Sequence, residues 1–286
     1  MLAAPAVLAP LVGLAGVAGR ILDSHGLEPL RWTGCPPDLA VNLHGRGPQS
    51  HALLRAQAPG RLAAFGCAAA GHTGPAWRED EHEVPRWCRL VRETLGVAAD
   101  PGDLLLAPPA AAAAVPGAVV VHPGAAYPAR RWPADRFSAV ARALAEEGYD
   151  VVVTGGPDEL RLAADVAHGA GLTPAAVLAG RTDLERLAAQ VAGASLLVCG
   201  DTGVAHLATA FATPSVLLFG PMPPDRWGSS RGGPHAVLWH GEGVGDPWGS
   251  EVDPALLRVG VDEVVQRALA LLSPRSRGSR TTPGCA

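Results

Sequence analysis

The chain has 286 residues, 48% of them hydrophobic but only 5% aromatic, with a formal net charge of −4. That length predicts two domains with cores built from Ala, Val and Leu, and the acidic balance argues against nucleic-acid binding, which needs a basic face. All 23 basic residues are Arg, so an Arg here can stand where other proteins use Lys.

The first 19 residues carry no charged side chain and lack a basic leader, and Pro5 and Pro10 should interrupt any helix there. A strand followed by a helical segment is expected, rather than a secretion signal. No run reaches the roughly 20 unbroken apolar residues that span a bilayer. Residues 38–44 and 62–66 read as short buried strands, the first leading into Gly45-Arg46-Gly47-Pro48. From His82, apolar residues recur at helical spacing and Gly96 closes the helix. The Pro- and Ala-rich stretch 101–117, with five alanines at 110–114, marks a linker.

Beyond it the pattern alternates. Strands are expected at Ala118–His122, Asp150–Thr154, Ala176–Leu178, Ser195–Cys199 and Ser215–Phe219. Helices are expected at about 133–147, 158–170, 184–192 and 202–211. Such alternation predicts a parallel sheet with right-handed crossovers, a Rossmann-like domain. The boundaries are then 1–107 for the N-terminal domain, 108–117 for the linker, 118–272 for the C-terminal domain and 273–286 for a polar, disordered tail.

In open α/β sheets ligands bind beyond the carboxyl ends of the strands, and four such ends carry suggestive residues. In Cys199-Gly200-Asp201-Thr202-Gly203-Val204-Ala205-His206 a strand meets a helix, whose unpaired amides and dipole suit an anion; Gly203 admits a phosphate and His206 lies one turn on. Spacing alone equally allows Asp201 to be a plain N-cap and His206 a packed core residue. His122-Pro123-Gly124 runs on to Arg130-Arg131, whose guanidinium groups suit a diphosphate, although a solvated surface pair is as common. In Thr154-Gly155-Gly156-Pro157-Asp158-Glu159 the glycines let a ligand pack against the backbone, and Glu159 suits ribose hydroxyls or merely a helix start. Phe219-Gly220-Pro221, reaching Trp227, forms a pocket wall or a plain turn.

There is no G-x-G-x-x-G, no Walker loop and no G-x-S-x-G, and no Asp-x-Asp that would hold a divalent ion on a diphosphate. The acidic run Glu79–Glu83 precedes a helix, where negative charge is favoured without a metal. Five scattered cysteines (Cys35, Cys67, Cys88, Cys199, Cys285) with no C-x-x-C pair indicate neither a disulfide framework nor structural zinc, and fit a reduced, cytoplasmic setting.

In order, His122-Pro123-Gly124, Arg130-Arg131-Trp132-Pro133, Thr154–Glu159, Asp201–Ala208 and Thr213–Pro221 resemble glycosyltransferase family 9, the lipopolysaccharide heptosyltransferase family. Leu43–Ser50 and His82-Glu83-Val84 extend the resemblance into the first half. It implies the α/β GT-B architecture: two Rossmann-like domains with parallel sheets facing a cleft, acceptor on the N-terminal side and nucleotide-sugar on the C-terminal side. It implies inverting, metal-independent transfer from a nucleoside-diphosphate sugar to a cell-envelope glycan or glycolipid; a heptose on ADP is the expected donor, although no base-contacting position is legible to separate ADP from GDP or UDP. No cofactor is implied; the place is the cytoplasm, at the inner face of the membrane. By that likeness Thr202 and Gly203 hold the diphosphate, Asp201 and His206 frame it, and Glu159 meets the ribose. His122, Gly124, Gly155 and Arg131 complete the donor site, and Arg130 replaces the family's usual Lys, with changed hydrogen-bond geometry.

The family's first strand and its Gly-Asp loop, whose Asp the resemblance implies as general base, have no counterpart before residue 102. This is expected of a truncated reading or a degenerate member; Asp23, Asp38 and His44 are the residual base candidates. Two other readings share the architecture: a sugar-nucleotide epimerase, and a nucleotide-sugar-binding protein without catalysis.

Overall fold

The computed structural model describes residues 1–17, 19–229 and 233–273. The tail expected at 273–286 lies outside the described residues apart from Ser273.

The first half is built from short elements. β1 (Leu2–Ala4) pairs in parallel with β2 (Ile21–Asp23) across α1 (Ala9–Ala15). The expected helix break at Pro10 does not occur: Pro10 sits in the first turn of α1, where a missing N–H is no loss. β3 (Leu39–Val41) pairs in parallel with β4 (Arg61–Ala63) across α2 (Gln49–Arg55). α3 (Glu83–Leu95) follows and ends on Gly96, whose φ of 69° is the left-handed turn that glycine makes without strain. Phe65, fully buried, meets Trp77 and Trp87 at ring centroids of 5.1 and 5.8 Å. The guanidinium groups of Arg86 and Arg89 lie over Trp77 and Phe65 at 4.1 and 5.1 Å, adding cation–π contacts to this core.

In the second half β5 (Val119–His122), α4 (Ala134–Glu146), β6 (Val151–Val153), α5 (Leu160–Gly169), α6 (Leu184–Ala192), β7 (Leu196–Gly200), α7 (Gly203–Ala210) and β8 (Ser215–Phe219) succeed one another. Three elements absent from the sequence reading then continue the pattern: β9 (His235–Trp239) and α10 (Val261–Leu272), with the short α9 (Pro254–Leu257) between them; α8 (Pro224–Trp227) lies in the preceding loop. The strand expected at Ala176–Leu178 is reduced to one parallel bridge, Val153 to Val177, because Pro174 opens a 3-10 turn over Pro174–Ala176.

The five strands form one parallel sheet in the order β6-β5-β7-β8-β9. The alternation of side chains divides the core in two. Val119, Val121, Val151, Val153, Val198 and Leu218 face α4, α5 and α10, while Val120, Leu197, Cys199, Leu217 and Phe219 face α6 and α7. Burial on both faces is why these strands read as unbroken apolar runs. Chain order reverses between β5 and β7, and the carboxyl ends of those two neighbours bound the crevice where such sheets take ligands.

The halves are tied together. The Val115 N–H donates to Gln190 Oε1 at 3.0 Å and Gln190 Nε2 donates to Val115 O at 2.9 Å, so the Pro/Ala stretch runs along α6. Leu106 N–H donates to Ala210 O at 2.8 Å, and Leu11 of α1 packs on the α6–α7 side of the core.

Leu144 is fully buried between α4 and the sheet, whereas Leu160 on α5 is 49% exposed. Leu144→Ala is expected to cost about 2–5 kcal/mol and Leu160→Ala less than about 1 kcal/mol, read from urea unfolding midpoints.

Candidate functional site

The site residues expected from sequence fall into two groups on either side of the β5–β7 crevice. At the end of β5, His122 is buried and its Nδ1 lies 3.0 Å from Thr154 Oγ1, at the end of neighbouring β6. Glu159, in the 3-10 turn Pro157–Glu159, accepts the Gly156 N–H through Oε2 at 2.8 Å, and that oxygen lies 4.0 Å from His122 Nε2. A Cβ on Gly124 would stand 2.0 Å from Glu159 Oε1, and one on Gly155 would stand 3.1 Å from Glu159 Cβ. The two glycines therefore make room for one carboxylate. Burial holds His122 below the ordinary histidine pKa of 6.5, with Glu159 pulling weakly the other way, so the imidazole is neutral.

The second group centres on Arg130. It leaves the 3-10 turn Pro128–Arg130 and its Nη2 donates to the Asp201 carbonyl at 2.6 Å and to Asp201 Oδ2 at 3.0 Å. Its Nε is buried with no hydrogen-bond partner among the described residues. The reading of Asp201 as a plain N-cap is corrected here: its carboxylate goes to Arg130, and Thr202 occupies the N-cap position without a side-chain hydrogen bond into the helix. The first turn of α7 is thereby left without a side-chain cap, and a Cβ on Gly203 would meet nothing within 4 Å. Such an open end of a helix offers N–H donors and positive potential to an anion. Gly200, by contrast, is closely covered, since a Cβ there would lie 3.1 Å from the Arg130 carbonyl.

His206 is exposed, which corrects the reading of it as a packed core residue. Partial desolvation of its ring lowers its pKa, while Asp201 raises it. Arg131 is turned to its own loop, with Nε donating to Ala125 O at 2.7 Å. Of the base candidates, Asp23 Oδ1 accepts the Ala6 N–H at 2.8 Å and lies 3.4 Å from His25, while Asp38 and His44 are exposed.

The acidic run Glu79–Glu83 is occupied by arginines. Arg89 grips Glu81 with Nε and Nη2 at 2.6 to 3.2 Å, Arg86 pairs with Glu83, and Arg46 pairs with Glu79.

His82, which directly precedes α3, bonds to both halves of the chain. Its Nδ1 accepts the Val84 N–H at 3.2 Å and caps α3, which leaves the proton on Nε2 to donate to Gly228 O at 2.9 Å. The signal for the cap was legible in a polar residue directly before an apolar periodic run; the bond 146 residues away was not. Between the halves, His82, Val84, Leu104, His206, Trp227 and Trp239 line a cavity of about 720 Å³.

Residues 72–240 match the profile of glycosyltransferase family 9 (heptosyltransferase). Lipopolysaccharide heptosyltransferase 3 of Escherichia coli is 39% identical over 104 residues, 36% of this chain and 31% of that protein. Lipopolysaccharide heptosyltransferase 1 of Pseudomonas aeruginosa is 36% identical over 155 residues, 52% of this chain and 42% of that protein. The matched stretch thus spans about a third to two fifths of the length of these relatives. Among solved structures, the E. coli ADP-heptose LPS heptosyltransferase II superposes with a TM-score of 0.71 at 21% identity, over 94% of this chain and 88% of that one. A glycosyltransferase of family 9 from Veillonella parvula gives 0.66 at 20% identity, over 84% and 74%. The fold is therefore GT-B-like, with parallel sheets in both halves.

Burial also lowers the pKa of His235 and His72. The unfolded chain takes up protons near pH 6.5 that the folded protein refuses, so stability is greatest above that value and falls as the pH drops toward the lowered folded values. The urea midpoint is expected to be lower at about pH 5.5 than at about pH 7.5, and His122→Asn is expected to flatten the slope. A midpoint indifferent to pH over this range would contradict the assignment.

Proposed function

This chain belongs to glycosyltransferase family 9, and we propose that it binds a nucleoside-diphosphate sugar in the β5–β7 crevice and transfers the sugar to a cell-envelope glycan or glycolipid. The observation that carries this reading is the placing of an arginine, an uncapped helix start and a glycine-cradled carboxylate on adjacent strand ends of one sheet.

Each group has a part in that scheme. The diphosphate lies against the first turn of α7, where the Thr202 and Gly203 amides receive it, with the Arg130 guanidinium beside it. The partnerless Nε of Arg130 supports this, since a buried N–H normally has an acceptor. Glu159, held by Gly156 N–H with Gly124 and Gly155 clearing space around it, accepts the ribose hydroxyls. Asp201 keeps Arg130 in place, neutral His122 supports the wall behind Glu159, and Arg131 braces the loop.

Sugar transfer places negative charge on the departing diphosphate. Fixed cationic and amide groups stabilise it most when it is fully developed, which lowers the barrier without a divalent ion. Attack from the opposite face then inverts the sugar carbon. A heptose carried on ADP is the donor we favour, supported by the name of the superposing E. coli enzyme, an ADP-heptose transferase. The protein acts at the inner face of the membrane. Among the described residues no helix is long and apolar enough to cross a membrane.

By titration calorimetry ADP is expected to bind more tightly than GDP or UDP. Arg130→Met should weaken ADP by about tenfold or more, at least ~1.4 kcal/mol, and leave adenosine unchanged. Gly124→Ala, which pushes the Glu159 carboxylate aside, should weaken ADP and adenosine alike. Absence of binding by all three diphosphates, or equal loss of ADP and adenosine in Arg130→Met, would overturn the site. Turnover in the presence of EDTA should match that without it.

A further inference from the structure

Asp201 fixes the Arg130 guanidinium at its tip, but a long side chain is placed only as well as the backbone that carries it. That backbone is the 3-10 turn Pro128–Arg130, closed by two local bonds, Arg130 N–H to Tyr127 O and Arg131 N–H to Pro128 O, both at 3.0 Å. A 3-10 turn this short is a weak anchor. Ala129, its middle residue, is buried, and both its backbone groups reach outside the turn. Its N–H donates to Gly249 O at 3.1 Å, and its carbonyl accepts the Asp253 N–H at 3.2 Å. Gly249 and Asp253 belong to a strap, residues 245–253, that leads into α9. The strap is itself tied down, since Gly245 N–H donates to Pro221 O at 2.6 Å and Trp248 N–H to Asp246 Oδ1 at 3.0 Å.

Three glycines from three segments leave room for the turn. A Cβ on Gly200, at the end of β7, would stand 3.1 Å from Arg130 O. One on Gly220, just after β8, would stand 3.5 Å from Ala129 O, and one on Gly249 would stand 3.3 Å from Ala129 Cβ. None of the three has a positive φ, so space, not backbone freedom, is what glycine supplies there. The turn thus sits in a socket with two walls made of strand ends and the third made of the strap.

We propose that the strap is a positioning element for Arg130, with Gly249 and Asp253 as its positioning residues: by holding Ala129 it sets the guanidinium against the start of α7, where the diphosphate is received. This role rests on the donor reading above and adds a determinant of phosphate binding that lies outside the crevice. Arg130 Nη2 already has two acceptors, and its Nε, buried without a partner among the described residues, is the group left for a ligand. Such a group works only when held within about 0.5 Å and 10–20° of its productive geometry. A shift of Ala129 passes directly to the Arg130 Cα while Asp201 keeps the tip in place, so slack in the strap turns Nε away from the phosphate. Adenosine, which has no phosphate, does not sense that shift.

The test is a double-mutant cycle on the full chain, with ADP and adenosine as probes in titration calorimetry. Gly249→Val crowds Ala129, and Asp253→Pro removes the N–H that Ala129 accepts; the φ of −63° at Asp253 suits proline. Asp253→Ala keeps that N–H and loses the side-chain cap, which accepts the Ala255 N–H at 2.8 Å. Gly249→Val and Asp253→Pro should each raise the ADP Kd about fivefold or more and leave adenosine within about twofold. Asp253→Ala should leave both within about twofold. In the Arg130→Met background neither strap variant should weaken ADP further, because both act through the guanidinium, whereas a purely architectural role would make the losses additive. Additive losses, an unchanged ADP Kd in either strap variant, or equal weakening of ADP and adenosine in both would overturn the proposal, while Arg130→Met alone still reports on the donor site. If one strap variant loses adenosine as well, it is misfolded and the other decides. If the wild type binds no nucleoside diphosphate, the donor reading fails and the role of the strap falls with it.

Discussion

The bond from Arg130 to Asp201 is the interaction on which the candidate site depends. It spans the point where the strand order reverses, joining the loop that leaves β5 to the end of β7. An Asp just before a helix would ordinarily turn its carboxylate onto the first amides and neutralise the anion-binding end. Here the guanidinium takes that carboxylate, so the α7 start stays open while a cation is fixed beside it. One ion pair thus serves both sides of the crevice. Because it is only partly exposed, it is screened less than a surface pair and holds its geometry more firmly.

The opposite wall works by exclusion of side chains. Gly124 and Gly155 are needed because Glu159 fills the space their Cβ atoms would take, not because of unusual backbone angles. The carboxylate is oriented by one amide and backed by a buried, neutral histidine, so its charge faces the crevice without an intimate counter-ion. A polar group that is held but not neutralised suits hydroxyls better than it suits a second anion.

The N-terminal half reaches stability differently. With strands of three residues it cannot rely on a broad sheet, and its core instead packs Phe65, Trp77 and Trp87 against the stems and planes of Arg86 and Arg89. The carboxylates of the acidic run close those arginines off, which explains an acidic cluster that spacing alone leaves open to a metal reading. That ordered corner also presents His82, and through it the bond to Gly228 that shapes the cavity between the halves.

Sequence alone determined the parallel α/β class, the main strands and helices of the second half, and the strand ends that carry chemistry. Each of these follows from local periodicity and from the turn residues that interrupt it. It missed β9 and α10, expected a strand at Ala176–Leu178 where only the Val153–Val177 bridge forms, and placed Pro10 as a breaker where it sits in the first turn of a helix. What the tertiary structure decided was partnership: that Asp201 serves Arg130 instead of its own helix, that Arg131 braces its loop, that Glu79–Glu83 belong to arginines, and that His82 reaches Gly228. The physical reason is that a polar side chain has several partners within reach of its local pattern, and only the packing of distant segments settles which of them lies within hydrogen-bond distance.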